Sequence, residues 1–502
     1  MHQTLDAALE GLRLVFTWPN VLYPVIATLA AMVVAFLPGV SGVTLMVLAV
    51  PFTLFWDPLP VMLLFGGLVG GATFMGSVTA ILFNVPGTGP SAATLLDGHP
   101  LALQGEAKTA IGCAAMASAM GSSFGILVLI ALIPVMSRAV YAFGPPELLM
   151  LLLWGLTTIA LVGRGSISRS LAAAGIGLLL SFIGQDPRTG EARFTFGTLY
   201  LWNGLSLVPV MLGLFSIAEM LHLSLSPRAT ISGHSRIEQL SGSVRKGAMA
   251  VFRHFGLFLR SAAIGTCVGM VPGVGGTVAS FLAYGHAATS SKHSERFGTG
   301  DIRGVLAPES AHDAKDGGAL VPVLAFGIPG SESTAVLLAA LLLHGVAPGR
   351  ELMSRQLPLV FVLIWSLFIS NWLTSIVGVM LVTPLARLTT VRLHRLAPIG
   401  MALAAAGAFV DAQRFGDVVV AMAFGGIGYY MKKHGWPRIP MLVALLVGGG
   451  IERNLAIALR LRELGRLDVF ARPLLILLAA LVVVNVIVPK LRAARLRAKA
   501  AT

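Results

Sequence analysis

Residues 14–56 read LVFTWPNVLYPVIATLAAMVVAFLPGVSGVTLMVLAVPFTLFW, a stretch with no Asp, Glu, Lys, Arg or His. A transmembrane helix needs about 20 apolar residues to cross a hydrocarbon core of roughly 30 Å. The stretch is too long for one span and long enough for two, and Pro38-Gly39 falls inside it. Charge is absent in the same way from residues 58–96, 261–285 and 356–386. Across 502 residues only 12% are Asp, Glu, Lys or Arg and 56% are hydrophobic, whereas a soluble chain carries roughly 25% charged residues. So little charge leaves no water-facing coat, and lipid is the natural solvent. The expected fold is all-α: a polytopic integral membrane protein of roughly 10 to 12 transmembrane or half-membrane helices.

The charges that remain are placed at the ends of spans. Residues 226–260 carry Arg228, Arg236, Arg245, Lys246, Arg253 and Arg260 against the single acid Glu238, and the tail holds Lys490, Arg492, Arg495, Arg497 and Lys499 with no acid. Basic segments flanking spans mark the cytoplasmic side. The net charge of +14 therefore points to the lipid bilayer and not to nucleic acid, since no aromatic residues are interleaved to stack bases. Leu5, Leu9, Leu12 and Phe16 recur at helical spacing before Trp18, which reads as an amphipathic helix lying in the interface. The organisation expected is an interfacial helix (1–19), a first membrane half (20–225), a basic cytoplasmic linker (226–260), a second membrane half (261–489) and a basic cytoplasmic tail (490–502). Cys113 and Cys267 have no metal-site spacing and read as small core residues. Residues 185–197 read as a loop, and the charged run 289–318 as a surface loop with a short helix.

Pro-Gly pairs interrupt both halves at matching places. Pro38-Gly39 and Pro86-Gly87 correspond to Pro272-Gly273 and Pro329-Gly330, with separations of 234 and 243 residues. PGVSG (Pro38 to Gly42) matches PGVGG (Pro272 to Gly276), and NVPGTG (Asn84 to Gly89) matches GIPGSE (Gly327 to Glu332). Hydroxyls follow each second break: Thr88, Ser91 and Thr94 in one half, Ser331, Ser333 and Thr334 in the other. This is an internal duplication. Proline removes a backbone donor and glycine admits angles that other residues avoid, so each pair opens its helix. Freed backbone groups in lipid cost several kcal/mol unless something polar meets them. Paired interruptions in two repeats therefore point to a wet midplane site, in which helix N-termini receive an anion and unwound carbonyls hold a cation. The candidate substrate-binding residues are Pro38, Gly39, Ser41, Gly42, Pro86, Gly87, Thr88, Ser91, Pro272, Gly273, Gly275, Gly276, Thr277, Pro329, Gly330, Ser331, Ser333 and Thr334. Asn84, His312 and Asp313 are the candidates for coupling or gating.

Other classes are weighed on the same residues. GVSG (Gly39 to Gly42) fits the Gly-x-Ser-Gly pattern of a rhomboid-type intramembrane serine protease, with Ser41 as nucleophile and His286, His312 or His344 as base. Its counterpart GVGG lacks the hydroxyl, so the copies share flexible backbone and not a nucleophile. Aspartyl proteolysis is disfavoured because Asp57, Asp97, Asp186 and Asp417 read as lying near span ends or in loops. His312, Asp313 and Asp316 flank Lys315 and read as a solvated or interfacial face, not a metal site. A non-transporting receptor or scaffold subunit is the third class.

Long strings narrow the choice. PGTGPSAATLLDGHPLALQGEA (Pro86 to Ala107), DPRTGEARFTFG (Asp186 to Gly197), GMVPGVGGTVASFLAYG (Gly269 to Gly285), GGALVPVLAFGIPGSESTAVLLAALLLHGVAPG (Gly317 to Gly349) and GYYMKKHGWPRIPMLVALLVG (Gly428 to Gly448) resemble, in order and over nearly the whole chain, the large permease subunit of the tripartite tricarboxylate transporters (the TctA family). The resemblance implies ion-coupled secondary uptake of tricarboxylates, dicarboxylates or related organic acid anions, with no catalytic activity and no cofactor, the coupling ion being sodium or proton. It implies two partners, a small four-span membrane subunit and an extracytoplasmic solute-binding protein, and a multi-pass place in the bacterial inner membrane. The chain departs from the family pattern at Val43-Thr44 after the first break, and over Leu64 to Gly76, which lacks the family's tyrosines. It departs again at His312 and Asp313, where two asparagines are usual, which bears on the coupling ion and on substrate charge.

Overall fold

The computed structural model describes residues 2–36, 41–162, 166–186, 189–225, 241–388, 397–465 and 472–485. Pro38 and Gly39, residues 226–240 of the basic linker and the tail lie outside the described residues. The chain runs through α1 (His2–Phe16), α2 (Leu22–Phe36), α3 (Gly42–Thr53), α4 (Pro58–Phe83), α5 (Ser91–Leu103), α6 (Ala107–Ala142), α7 (Pro145–Val162) and α8 (Ile167–Ser181). A two-stranded hairpin follows, β1 (Gly184–Gln185) antiparallel to β2 (Ala192–Arg193). Next come α9 (Leu207–Met211) and α10 (Ala218–Leu225), joined through a π-helical stretch at Leu212–Ile217. The second half holds α11 (Val244–Arg253), α12 (Phe255–Met270), α13 (Gly275–Ser290), α14 (Arg303–Phe326), α15 (Glu332–Leu343), α16 (Arg350–Ser354), α17 (Leu357–Leu388), α18 (Ala397–Ala412), α19 (Phe415–Lys433) and α20 (Ile439–Glu463).

The fold is all-α and polytopic. Among the described residues five stretches are long and apolar enough to cross a membrane: Pro58–Phe83, Ala107–Ala142, Leu207–Leu225, Leu357–Leu381 and Ile439–Glu463. Shorter apolar helices, among them α2, α3, α12 and α15, flank the breaks. Two half-length helices on either side of a Pro-Gly pair are what an opened span leaves behind.

Packing is reciprocal between the halves. α2 lies along α4, as α12 lies along α14; α4 lies along α17, as α14 lies along α6. α1 packs on α17 and α11 on α6, while α3 meets α15 and α13 meets α5. The long central helix of each half is thus clasped by the other half. Small residues make this possible, because lipid offers no hydrophobic gain for helix association and close backbone approach must supply it. Gly67 and Gly71 of α4 face Ala27 and Ala31 of α2, and Gly66 and Gly70 face Ser366 and Ser370 of α17. Those two serines donate to Leu63 O at 2.6 Å and Gly67 O at 2.7 Å. On the other side, Gly265 and Gly269 of α12 rest on the α14 backbone at Ala311 and Lys315, and Gly121 and Gly125 of α6 rest on Ser310 and Ala314.

α1 is amphipathic as its spacing indicates. Ala7, Gly11 and Val15 are buried, Gly11 lying on Phe361, and Trp365 Nε1 donates to Ala8 O at 3.0 Å. Leu5, Leu9, Phe16 and Trp18 remain exposed, an apolar row left for lipid.

The structure corrects four expectations. The run 289–318 is not a surface loop: only residues 291–302 are loop, and from Arg303 onward α14 is a long helix buried on all sides. Its charges lowered the hydropathy, but Gly304, Ala307, Ala311, Ala314, Gly317 and Gly318 thin the helix enough for protein to close around it. Residues 244–260, read as linker, are helical, with α11 packed on α6. Asp97 is fully buried in the second turn of α5, midway along it and not at a span end, whereas Asp417 sits in the first turn of α19 as read, although it too is buried. Cys113 is buried as expected, whereas Cys267 is exposed.

Candidate functional site

The second and fourth breaks are built alike. α4 ends at Asn84 in the left-handed conformation (φ 56°), and α14 ends at Gly327 in the same conformation (φ 68°). The chain then folds back on the helix it has just left. A Cβ on Gly87 would stand 2.6 Å from Gly76 Cα, and one on Gly330 would stand 3.3 Å from Ala319 Cβ. The helix residue lies eleven positions before the glycine in both halves (76 to 87, 319 to 330). Gly87 N–H donates to Gly76 O at 3.1 Å, which fixes the first fold-back. Gly330 also approaches Gly269 O, the end of α12. At the third break Gly273 and Gly275 take positive φ (79° and 69°), Gly273 against Ile159 of α7.

The four helix starts differ in how their N–H groups are met. Ser41 accepts from Thr44 N–H at the start of α3, and Ser331 accepts from Thr334 N–H in a full capping box at the start of α15. Those two starts are closed by their own side chains. α5 and α13 begin after Pro90 and Val274, which cannot cap, so no N-cap side chain closes either start. These two starts converge. A Cβ on Gly276 would meet Lys315 Cε at 2.8 Å, Pro90 Cγ at 2.9 Å and His312 Cδ2 at 3.5 Å. The positive ends of two helices thus adjoin an ammonium and an imidazole inside the protein.

α14 supplies the rest of the chemistry. Glu309, His312, Asp313, Lys315 and Asp316 are each at least 94% buried. On a helix, 309, 313 and 316 share one face, whereas 312 and 315 lie on the neighbouring face. The cationic face looks toward Gly276 and Pro90. The acidic face looks toward hydroxyls: Glu309 Oε1 accepts from Ser77 of α4 at 2.7 Å and from Thr94 of α5. Asp313 accepts from Ser118 of α6, with Thr73 of α4 beside it. Lys315 donates to its neighbour Asp316. Among the described residues, Glu309 Oε2, His312 Nδ1, Asp313 Oδ1, Asp316 Oδ2 and Thr88 Oγ1 are buried without a hydrogen-bond partner. No group of three or more His, Cys, Asp or Glu able to hold a metal occurs among the described residues.

The expected residues therefore fall into separate roles. Gly276, with Lys315, His312 and Pro90, marks one confluence, next to Gly275 and Thr277. Gly87 and Gly330 are close-packed fold-back points, and Ser331, Ser333 and Thr334 bond one another at 3.0–3.1 Å. Ser41 Oγ lies 3.0 Å from Thr44 Oγ1. His344, one histidine considered as its base, is engaged by Ala340 O and Thr53 O at 2.6 Å each. Asn84 is an exposed helix terminus. Pro272 and Pro329 are buried, and Pro86 is exposed. Thr88 N–H donates to Ser91 Oγ at 3.1 Å. The residues that reading missed as a site are Pro90, Glu309, Lys315 and Asp316; the 309/313/316 spacing with small residues between is the helical signal that would have found them.

Asp97 organises the neighbouring loop. Its Oδ1 accepts the N–H groups of Gly298, Gly300 and Asp301 at 2.8–2.9 Å, and its Oδ2 accepts Tyr284 OH at 2.9 Å. A separate hollow of about 180 Å³ is lined by His254, Arg260, Arg303 and neighbours, none of them a break residue. Burial raises the Asp301 carboxyl there, but hydrogen bonds and charge from Arg303 outweigh it and hold it below the usual carboxylate range. Burial, then the Arg303 charge, lowers His254.

Residues 21–443 match the model of the tripartite tricarboxylate transporter TctA family. The chain belongs to that family. A protein of Agrobacterium vitis described as an uncharacterized 52.8 kDa protein in the TAR-I ttuC' 3' region is 31% identical over 447 residues, 89% of this chain and 88% of that protein. A second Agrobacterium vitis protein, described as uncharacterized in the TAR-II ttuC' 3' region, is 30% identical over 191 residues, 38% of this chain and 79% of its own length. No solved structure matches. All four interruptions and the confluence at Gly276 lie within the matched span. This TctA-family chain is a multi-pass membrane protein of transporter type.

Proposed function

We propose that the chain is the large permease subunit of a binding-protein-dependent secondary transporter in a bacterial inner membrane, taking up tricarboxylates or related organic acid anions coupled to an ion gradient. A small four-span subunit would complete the membrane unit, and an extracytoplasmic solute-binding protein would deliver the anion. The observation that carries the reading is the meeting of the uncapped starts of α5 and α13 at Gly276 with Lys315 and His312. A carboxylate placed there takes backbone N–H groups, the positive ends of two helices and a buried ammonium. Lipid-facing chemistry has no use for such a place, and buried ionisable groups in membrane segments mark substrate or ion pathways. A Cβ on Gly275 would meet nothing within 4 Å, which leaves room at the mouth of this site. Ser41 and Ser331 support the site as helix caps, not as substrate ligands, and the Ser41 hydroxyl is engaged by Thr44 and not poised as a nucleophile.

The test is uptake of radiolabelled organic acids by proteoliposomes holding this chain with its small partner and binding protein. Loss of a charge-assisted hydrogen bond of about 1.5–3 kcal/mol raises KM on the order of 10- to 100-fold, which is the expectation for Lys315→Met. Lys315→Arg keeps the charge and should lose much less. Equal uptake by wild type and Lys315→Met, with both inserted, would remove the anion from this place.

A further inference from the structure

α14 presents an acidic face that the anion site does not use. Glu309, Asp313 and Asp316 are at most 2% exposed, and among the described residues the only buried cation beside them is Lys315, held by Asp316. With all three acids ionised and His312 neutral, the helix would bury two uncompensated negative charges. An unpaired buried carboxylate costs several kcal/mol even after relaxation, and such groups take up a proton instead. The local bonding divides the three. Asp316 has its counter-ion. Glu309 receives only two neutral hydroxyls, both on Oε1, and its Oε2 is enclosed without a partner. Asp313 receives Ser118 on Oδ2, and its Oδ1 is enclosed likewise. The two residues stand one helical turn apart on one face.

The elements around them offer little else that titrates. α4 carries no ionisable residue. α5 brings Asp97, which is engaged by Tyr284 of α13 and by loop N–H groups, and His99, half-buried, whose Nδ1 lies 3.0 Å from Ile81 O. α6 brings Cys113, whose sulfur faces Ile302 O at 3.9 Å. α13 adds His286, half-buried. The ionisable groups of α12, α15 and α16 are exposed.

We infer that Glu309 and Asp313 are the coupling-proton carriers, binding one proton each in the buried state and releasing it when the site opens to water. The inference rests on the transport reading and deepens it. Each proton enters from water, forms one O–H bond on the bare carboxylate oxygen, and returns to water from the same oxygen. The anion site lies on the adjacent face of the same helix, so protonation on one face and anion binding on the other act on a single element. His312, with its Nδ1 unpartnered between the two faces, is placed to sense both.

Two measurements test it. In proteoliposomes, Glu309→Gln and Asp313→Asn keep shape and hydrogen bonding but cannot titrate. They should lose accumulation driven by an imposed pH gradient while keeping exchange of internal for external anion. Failure of exchange in wild type would instead strike the transport reading, so the two failures are distinguishable. Accumulation by both variants equal to wild type, or accumulation in wild type that follows sodium and ignores the pH gradient, overturns the assignment. Independently of transport, infrared difference spectra of the purified chain between neutral and alkaline solution should show the C=O band of buried carboxylic acids. Each variant should remove its share of that band. A spectrum unchanged in both variants overturns the inference.

Discussion

Gly276 stands where one added carbon would displace a buried charge. Its missing Cβ leaves space taken by the end of Lys315 and by the Pro90 ring. The lysine end is flexible and gives way, while the Pro90 ring must shift slightly with the start of α5, so Gly276→Ala displaces the ammonium at a modest cost in packing. Overpacking of about 1–3 kcal/mol then appears as a KM raised on the order of tenfold, with insertion unchanged; a wild-type KM would show that Lys315 does not face the substrate. Gly330 is different, because its neighbours are Gly269 O and Ala319, both fixed in helices. Gly330→Val should therefore block uptake in a protein that still inserts, read as transport loss at normal membrane abundance. At this scale the sequence was partly legible. Pro-Gly pairs announce themselves, because no other residues combine a missing donor with left-handed freedom. Lys315 did not, because five ionisable residues within Glu309–Asp316 resemble a wet loop unless their helical spacing is weighed against the small residues between them.

α14 is the element on which the account turns. It is a helix of 24 residues with Pro308 and Pro322 inside it, enclosed by α5, α6, α12 and α13, with Ser77 of α4 reaching Glu309. Gly317 lies on the backbone of Gly125 across the α6 contact, whereas Gly285 of α13 has nothing within 4 Å of its Cβ position. Gly317→Leu should cost about 1–3 kcal/mol or more, seen as a lower thermal midpoint and loss of the monodisperse species in detergent. Gly285→Leu should leave both unchanged. Comparable behaviour of the two variants would mean that α6 and α14 do not meet so closely. Hydropathy found the apolar helices but not α14, since a window average cannot tell charges facing water from charges folded between helices. It also missed that α3 and α15 are closed by Ser41 and Ser331 while α5 and α13 are left uncapped; only the position of each start relative to its neighbours shows that difference.

Across the whole molecule the duplication read from PGVSG and PGVGG reappears as reciprocal packing, with α4 clasped by α17 and α14 clasped by α6. Sequence repeats identify such copies but carry no sign of which copy packs on which. The interlocking places the acidic and cationic faces of one helix at the meeting of both halves, so a movement of either half changes what α14 touches. The most direct test of this arrangement is a structure of the chain in a lipid nanodisc with and without a bound tricarboxylate. The account predicts added density between the N–H groups at Gly276, the start of α5 and the Lys315 ammonium, with Lys315 turned away from Asp316. Density confined to the hollow at His254, Arg260 and Arg303, with the Lys315–Asp316 pair undisturbed, would contradict it.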